Sequence, residues 1–291
     1  MSLIASLLPA GFLASGPVRT ALVVGGCAAV VSAIIGVFTV IRGQTFAGHA
    51  LADLSSAGGA AAFLIGMSPL WGFLGIAVLA AGTLEAAGLR RARERDLVTG
   101  IVMGAGLGIT ALLLHFAIAE RSSGGAAIAV MFGSIFAMPP GLILPELLVG
   151  AGALLLIGLC YRPLLLTALH PDLAAVRGLS VRGIGLLHLL VLSLAVTLSA
   201  MAVGAILSTA LLVGPAAAGV RLARSPGRAM VLAVLLGLGV TWGSILLAYV
   251  SYSWTPGHPW PVSFFIVSLI FIFHLLLGLV DGLARGRMAR A

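Results

Sequence analysis

Five stretches of this chain, residues 21–41, 97–119, 147–161, 183–220 and 229–257, contain no Asp, Glu, Lys or Arg. A helix needs roughly 20 apolar residues to cross the ~30 Å hydrocarbon core of a bilayer. Several of these stretches suffice for one crossing, and 183–220 is long enough for two. Of the 291 residues, 61% are hydrophobic and 8% charged, whereas soluble domains carry about 25% charged residues. Such a chain cannot cover its own surface in water. It reads as an all-α integral membrane protein, a polytopic helical bundle.

Nine hydrophobic segments fit the pattern: residues 20–41, 50–67, 70–89, 97–118, 141–161, 184–202, 204–221, 229–252 and 261–280. The division near residue 203 is the weakest boundary, and joining the two segments there gives eight. Residues 126–140 are too short to span and end in Pro139 and Pro140. They fit a half-helix, which requires shielding by protein or a water-filled cavity. The chain divides into an interfacial N-terminal segment (1–19), a transmembrane domain (20–280) with a cytoplasmic loop at 162–182, and a basic tail (281–291). The 39 glycines let helices approach closely. Cys27 and Cys160 lie in apolar runs and read as small buried hydrophobes rather than a disulfide pair.

The net charge of +8 comes from sixteen arginines and no lysine. Arginines between hydrophobic runs orient a membrane protein by staying in the cytoplasm, so nucleic-acid binding is set aside. With nine spans, the clusters at Arg90–Arg95, Arg162–Arg182, Arg221–Arg228 and Arg285–Arg290 all fall on one side. The C-terminus is then cytoplasmic and the N-terminus outside, with Trp254 and Trp260 in an external interfacial belt. Arg19 alone fits this arrangement poorly.

Ionisable residues inside membrane segments cost about 2.5–3.5 kcal/mol each on insertion scales and are functional candidates by default. His49 and Asp53, in Gly48-His49-Ala50-Leu51-Ala52-Asp53, are four residues apart and so share a helical face. One nitrogen and one oxygen donor facing a cavity suit a divalent transition metal. The competing account is a hydrogen bond within the helix that only lowers the cost of burial. Gly43, Gly48, Gly58 and Gly59 bracket the pair, as expected where a helix is interrupted or closely approached. His115, His188 and His274 read as core histidines, and Glu85 as an interfacial carboxylate. Glu146 and Asp281 read as span-end acids able to snorkel or pair. His258, in an external proline-rich loop, is a candidate gate. A P-loop requires lysine, so any ATP hydrolysis must occur on another polypeptide.

The order of several short motifs resembles that of the metal-type ABC importer permeases, which carry zinc, manganese or iron(II). These motifs are Gly36-Val37-Phe38-Thr39-Val40-Ile41-Arg42, residues 44–59, Asp96-Leu97-Val98-Thr99-Gly100-Ile101, Phe132-Gly133-Ser134-Ile135, Val203-Gly204-Ala205-Ile206-Leu207 and Ala210-Leu211-Leu212-Val213-Gly214-Pro215-Ala216-Ala217. The resemblance implies that a translocation-path Asp and His coordinate metal. By position, the family's Asp falls on His49 and its His on Asp53, so the donors are exchanged by about one turn, ~6 Å. It further implies that Leu169-His170-Pro171-Asp172-Leu173-Ala174-Ala175-Val176-Arg177-Gly178 is the cytoplasmic coupling segment, with His170, Asp172, Ala174 and Gly178 at partner-binding positions. Pro171 suits the start of a short helix and Gly178 its stop.

The resemblance thus leads to the permease subunit of an ATP-driven divalent-metal importer in the cell membrane. It is expected to form a homodimer in membrane lipid, with a cytoplasmic ATP-binding subunit and an external metal-binding protein as partners. It is not an enzyme and holds no permanent cofactor; the metal is cargo. The alternatives are an ion-coupled secondary transporter using Asp53 or Glu85, a vitamin or siderophore permease, and an intramembrane metalloenzyme.

Overall fold

The computed structural model describes residues 11–86, 92–121, 124–133, 135–255 and 260–288, and no strand occurs among them. Lipid offers the backbone no hydrogen bonds, so each crossing must close its own. The helices are α1 (Gly16–Ile41), α2 (Thr45–Ile65), α3 (Pro69–Ala86), α4 (Ala92–Arg121), α5 (Gly124–Phe132), α6 (Pro140–Leu159), α7 (Tyr161–Leu169), α8 (Pro171–Val176), α9 (Val181–Val203), α10 (Ala205–Leu222), α11 (Pro226–Trp254) and α12 (Val262–Met288). Local chemistry sets several ends. Pro17 and Pro226 open α1 and α11, Ser180 accepts the Gly183 N–H at the start of α9, and left-handed Gly66 stops α2.

Among the described residues, seven helices are long and apolar enough to cross a membrane by length and composition: α1, α4, α6, α9, α10, α11 and α12. α2 is diluted by His49, Asp53, Ser55 and Ser56, and the apolar part of α3 is shorter, Pro69–Glu85. The nine expected crossings therefore reduce to seven on that criterion. Both α2 and α3 nevertheless run between the two ends of the bundle. One end gathers Arg42, Gln44, Glu85, Thr167, Pro171 and Arg182 around a cleft. At the other end, Phe63, Gly66, Pro69, Met138 and Met201 line a cavity. Phe132, Ala202, Trp260 and Val262 line another there.

The centre of the bundle is α1 and α9, each 72% buried over its apolar window, against 22% for α4 and α6. Residues 126–140 do not form one half-helix ended by the prolines: α5 is nine residues long and ends at Phe132, a 3-10 turn follows at Ile135–Ala137, and Pro139 and Pro140 open α6 instead. α5 packs on α2, α4, α9 and α10, which supplies the shielding that a half-helix needs. The uncertain boundary near 203 is a true break at Gly204, φ +93°, between α9 and α10. Gly204 lies against Gly133, itself at φ +78°: a Cβ on Gly133 would stand 2.7 Å from both the Ala202 carbonyl oxygen and the Gly204 nitrogen. Two interruptions thus meet backbone to backbone.

Gly204→Ala must adopt a left-handed backbone and press its methyl onto the Met131 carbonyl oxygen. It should cost at least about 1–3 kcal/mol, seen as a lower melting temperature of the detergent-solubilised protein. Gly158→Ala, where a Cβ meets nothing within 4 Å, should be neutral or slightly stabilising.

Candidate functional site

α2 carries His49 and Asp53 and is held in place on several sides. At Gly58 and Gly72, α2 and α3 touch so closely that a Cβ on either would overlap the other's carbonyl oxygen. Ser56 Oγ lies 2.7 Å from Thr110 Oγ1 on α4 and donates to the Asp53 carbonyl at 2.6 Å. Gly48 admits the Leu212 side chain of α10, whose Cδ2 would be 3.0 Å from a Cβ there.

Asp53 is 2% exposed, whereas the His49 side chain is 36% exposed. The His49 Nδ1 is hydrogen-bonded at 2.7 Å to Thr209 Oγ1 on α10. That leaves Nε2 facing Asp53 Oδ2 across 3.7 Å. The gap is too long for a hydrogen bond, and Oδ2 is buried with no hydrogen-bond partner. The hydrogen bond within the helix, the competing account of this pair, is therefore not formed. Two donors 3.7 Å apart are close enough for one metal ion to contact both at about 2.1 Å. Thr209 fixes the ring from the opposite nitrogen, as outer partners of metal-binding histidines do. Among the described residues, no group of three or more His, Cys, Asp or Glu could hold a metal, so one chain offers two such side chains.

Thr209 was not singled out from the sequence; its only signal is a polar pair, Ser208-Thr209, inside an apolar run. Other expectations need correction. His115 is exposed on α4 rather than in the core. His188 is fully buried, with Nε2 3.4 Å from Thr39 Oγ1, and His274 is half-buried with Nδ1 3.0 Å from the Ile270 carbonyl oxygen. Glu146 does not snorkel: it is 1% exposed, and neither carboxyl oxygen has a partner. The second turn of α6 turns it inward. His258 and the side chain of Asp281 lie outside the described residues.

The 169–178 segment forms the short helix α8. His170 precedes it, Pro171 opens it, and Gly178 at φ +76° follows its end, where the Leu179 N–H reaches the Ala174 carbonyl oxygen at 3.0 Å. His170, Asp172 and Gly178 are exposed, but Ala174 is fully buried and faces the bundle. The outward apolar group is Val176, 84% exposed. Beside α8, Arg42 donates to Thr167 Oγ1 at 2.8 Å. Burial pushes the Arg42 guanidinium below its usual pKa, and the nearby Glu85 carboxylate partly offsets this.

The fold is that of a multi-pass membrane bundle with interrupted helices, carrying one nitrogen and one oxygen donor on an inner helix. The chain belongs to the ABC 3 transport family, whose model matches residues 16–278. It is 28% identical over 235 residues to the manganese import system permease protein ScaB of Streptococcus parasanguinis, covering 81% of each chain. It is 25% identical to the manganese transport system membrane protein MntC of Listeria innocua, covering 78% of this chain and 80% of that one. Its fold matches a chain of PsaBC from Streptococcus pneumoniae in complex with Fab, with TM-score 0.78 and 25% identity over 91% of this chain and 92% of that one. The family resemblance read from the motifs is thereby established.

Asp53→Asn keeps the side-chain shape and removes a buried carboxylate whose Oδ2 accepts no hydrogen bond. The melting temperature of the metal-free variant should stay level or rise, since the charge carries a burial cost of about 2.5–3.5 kcal/mol. A marked fall would show that Asp53 serves the fold instead.

Proposed function

We propose that this chain is the membrane subunit of an ATP-driven importer of divalent transition-metal ions, with Mn²⁺ the favoured cargo. One observation carries the reading: His49 Nε2 and Asp53 Oδ2 face each other at 3.7 Å, with Oδ2 unpartnered. The manganese permeases among its relatives favour Mn²⁺, and mixed nitrogen and oxygen donors suit it.

Two protein donors under-coordinate any such ion. A homodimer bringing two His49/Asp53 pairs together would give two nitrogens and two oxygens, and the half-exposed edge of His49 suits such a meeting. All nine end-to-end helices, α2 and α3 included, are crossings in this reading. The end holding Arg42, Arg182 and α8 is cytoplasmic, as is the C-terminus. There an ATP-binding subunit docks on α8 through Asp172, Leu173 and Val176. An external metal-binding protein delivers the ion to the opposite end, where His258 is the candidate gate. ATP binding and hydrolysis on the partner shift α8, and the bundle alternates its access around the His49/Asp53 pair.

Cells carrying the wild type with its partners should accumulate radioactive Mn²⁺. His49→Ala and Asp53→Ala should each lower uptake by at least about tenfold, and Thr209→Val by a comparable factor through loss of ring orientation. Equal uptake by all four proteins would remove the site, and uptake without any ATPase would favour a secondary transporter. Val176→Asp should reduce co-purification of the ATP-binding subunit by about tenfold or more. Unchanged recovery of that subunit would exclude α8 as the docking element.

A further inference from the structure

Two side-chain contacts join the last turn of α1 to the helices before and after α8, to α7 and to α9. Ahead of α8, Arg42 Nη2 donates to Thr167 Oγ1 at 2.8 Å, three residues before His170. Thr167 turns its own hydroxyl hydrogen back to the Pro163 or Leu164 carbonyl, at 2.9 and 3.0 Å, leaving a lone pair for the arginine. Two turns into α9, His188 lies with Nε2 3.4 Å from Thr39 Oγ1, whose hydrogen goes to the Ile35 carbonyl at 2.9 Å. Residues 39 and 42 are three apart and share one face of the helix end. The link from α1 to α8 therefore runs through Thr167, near the end of α7 and directly ahead of the α8 segment.

The same end of α1 runs directly into the helix that carries the metal donors. The turn is Arg42-Gly43-Gln44, closed by the Gln44 N–H to the Thr39 carbonyl at 2.9 Å, and the Gly48 N–H then reaches the Gln44 carbonyl at 3.1 Å. His49 follows at once. A third contact lies across the cleft: a Cβ on Gly185 of α9 would stand 3.3 Å from Glu85 Oε2. The cleft lined by Arg42, Glu85, Thr167 and Arg182 has a volume of about 430 Å³. It gives the α8 segment room to shift, while Arg42 Nη1, buried there without a partner, is a donor not yet used.

We propose that Arg42 is a positioning residue: its bond to Thr167 makes the α8 segment and the start of α2 move as one body, so that displacement of α8 reaches the His49/Asp53 pair. The proposal rests on the importer reading above. Arg42 touches neither metal nor nucleotide in this scheme; it acts through Thr167 and the turn into α2. Its loss should therefore separate ATP hydrolysis from transport rather than abolish both.

The test uses the full complex, the permease with the ATP-hydrolysing chain that co-purifies with it, reconstituted in lipid vesicles and supplied with the external metal-binding protein loaded with Mn²⁺. Mn²⁺ imported and ATP hydrolysed are measured on the same sample. In Arg42→Ala, and in the near-isosteric Thr167→Val, the number of Mn²⁺ ions imported per ATP should fall by about tenfold, the scale of one hydrogen bond to a charged group. The double variant should be no worse than the poorer single one, since the two side chains form one contact. A purely structural role lowers both rates in proportion to the folded complex and leaves the ratio intact. An unchanged ratio in either variant, or losses that multiply in the double variant, would overturn the proposal. Failure of the wild type to import Mn²⁺ would instead sink the importer reading and take this inference with it.

Discussion

Helices in lipid gain nothing from hiding apolar surface from one another, because the tails are as apolar as the side chains. They associate through close packing, and small residues allow it. In this bundle that requirement is met at a few backbone-to-backbone contacts. Gly58 and Gly72 bring α2 and α3 together, while Gly133 and Gly204 bring the end of α5 against the break between α9 and α10. The position of α2, and with it the candidate site, follows from these contacts.

The site is placed where a charge is expensive. α2 is less apolar than its neighbours because it carries His49 and Asp53, and it lies against α3, α4, α9 and α10 rather than at the periphery. Asp53 Oδ2 accepts no hydrogen bond within the chain and has only the His49 ring facing it at 3.7 Å, so the fold tolerates it rather than being built upon it. A doubly charged ion passing between the facing donors would relieve that cost only briefly, which suits a carrier better than a resident metal centre. Glu146, as deeply buried and as poorly partnered, poses the same question on α6, and nothing in the structure accounts for it.

What could be read from residues alone divides along physical lines. The absence of charge over long runs made the helical membrane fold legible. The shortness of the apolar run after Gly124 made a half-helix legible though not its end, since Pro139 and Pro140 open α6, and Pro171 with Gly178 made α8 legible. The pairing of His49 with Asp53 followed from the four-residue spacing within one helix. Their relation to Thr209 did not, because it depends on how α10 lies across α2. The same limit explains Ala174, which faces the bundle rather than a partner, and His115, which lies on the surface of α4. An apolar run does not announce which of its faces is covered.

The sequence by itself determined that this chain is a helical membrane bundle of the ABC 3 transport family, with one nitrogen and one oxygen donor on a single helical face. Those properties depend on local chemistry: hydropathy over twenty residues, spacing over one turn, and short motifs in order. Only the tertiary structure decided that Asp53 is buried with Oδ2 accepting no hydrogen bond, that Thr209 holds the His49 ring, and that Arg42 reaches Thr167 ahead of α8. Each of these joins residues more than a hundred positions apart or depends on packing from several helices. Such distances are set by the way helices cross, which no local pattern encodes.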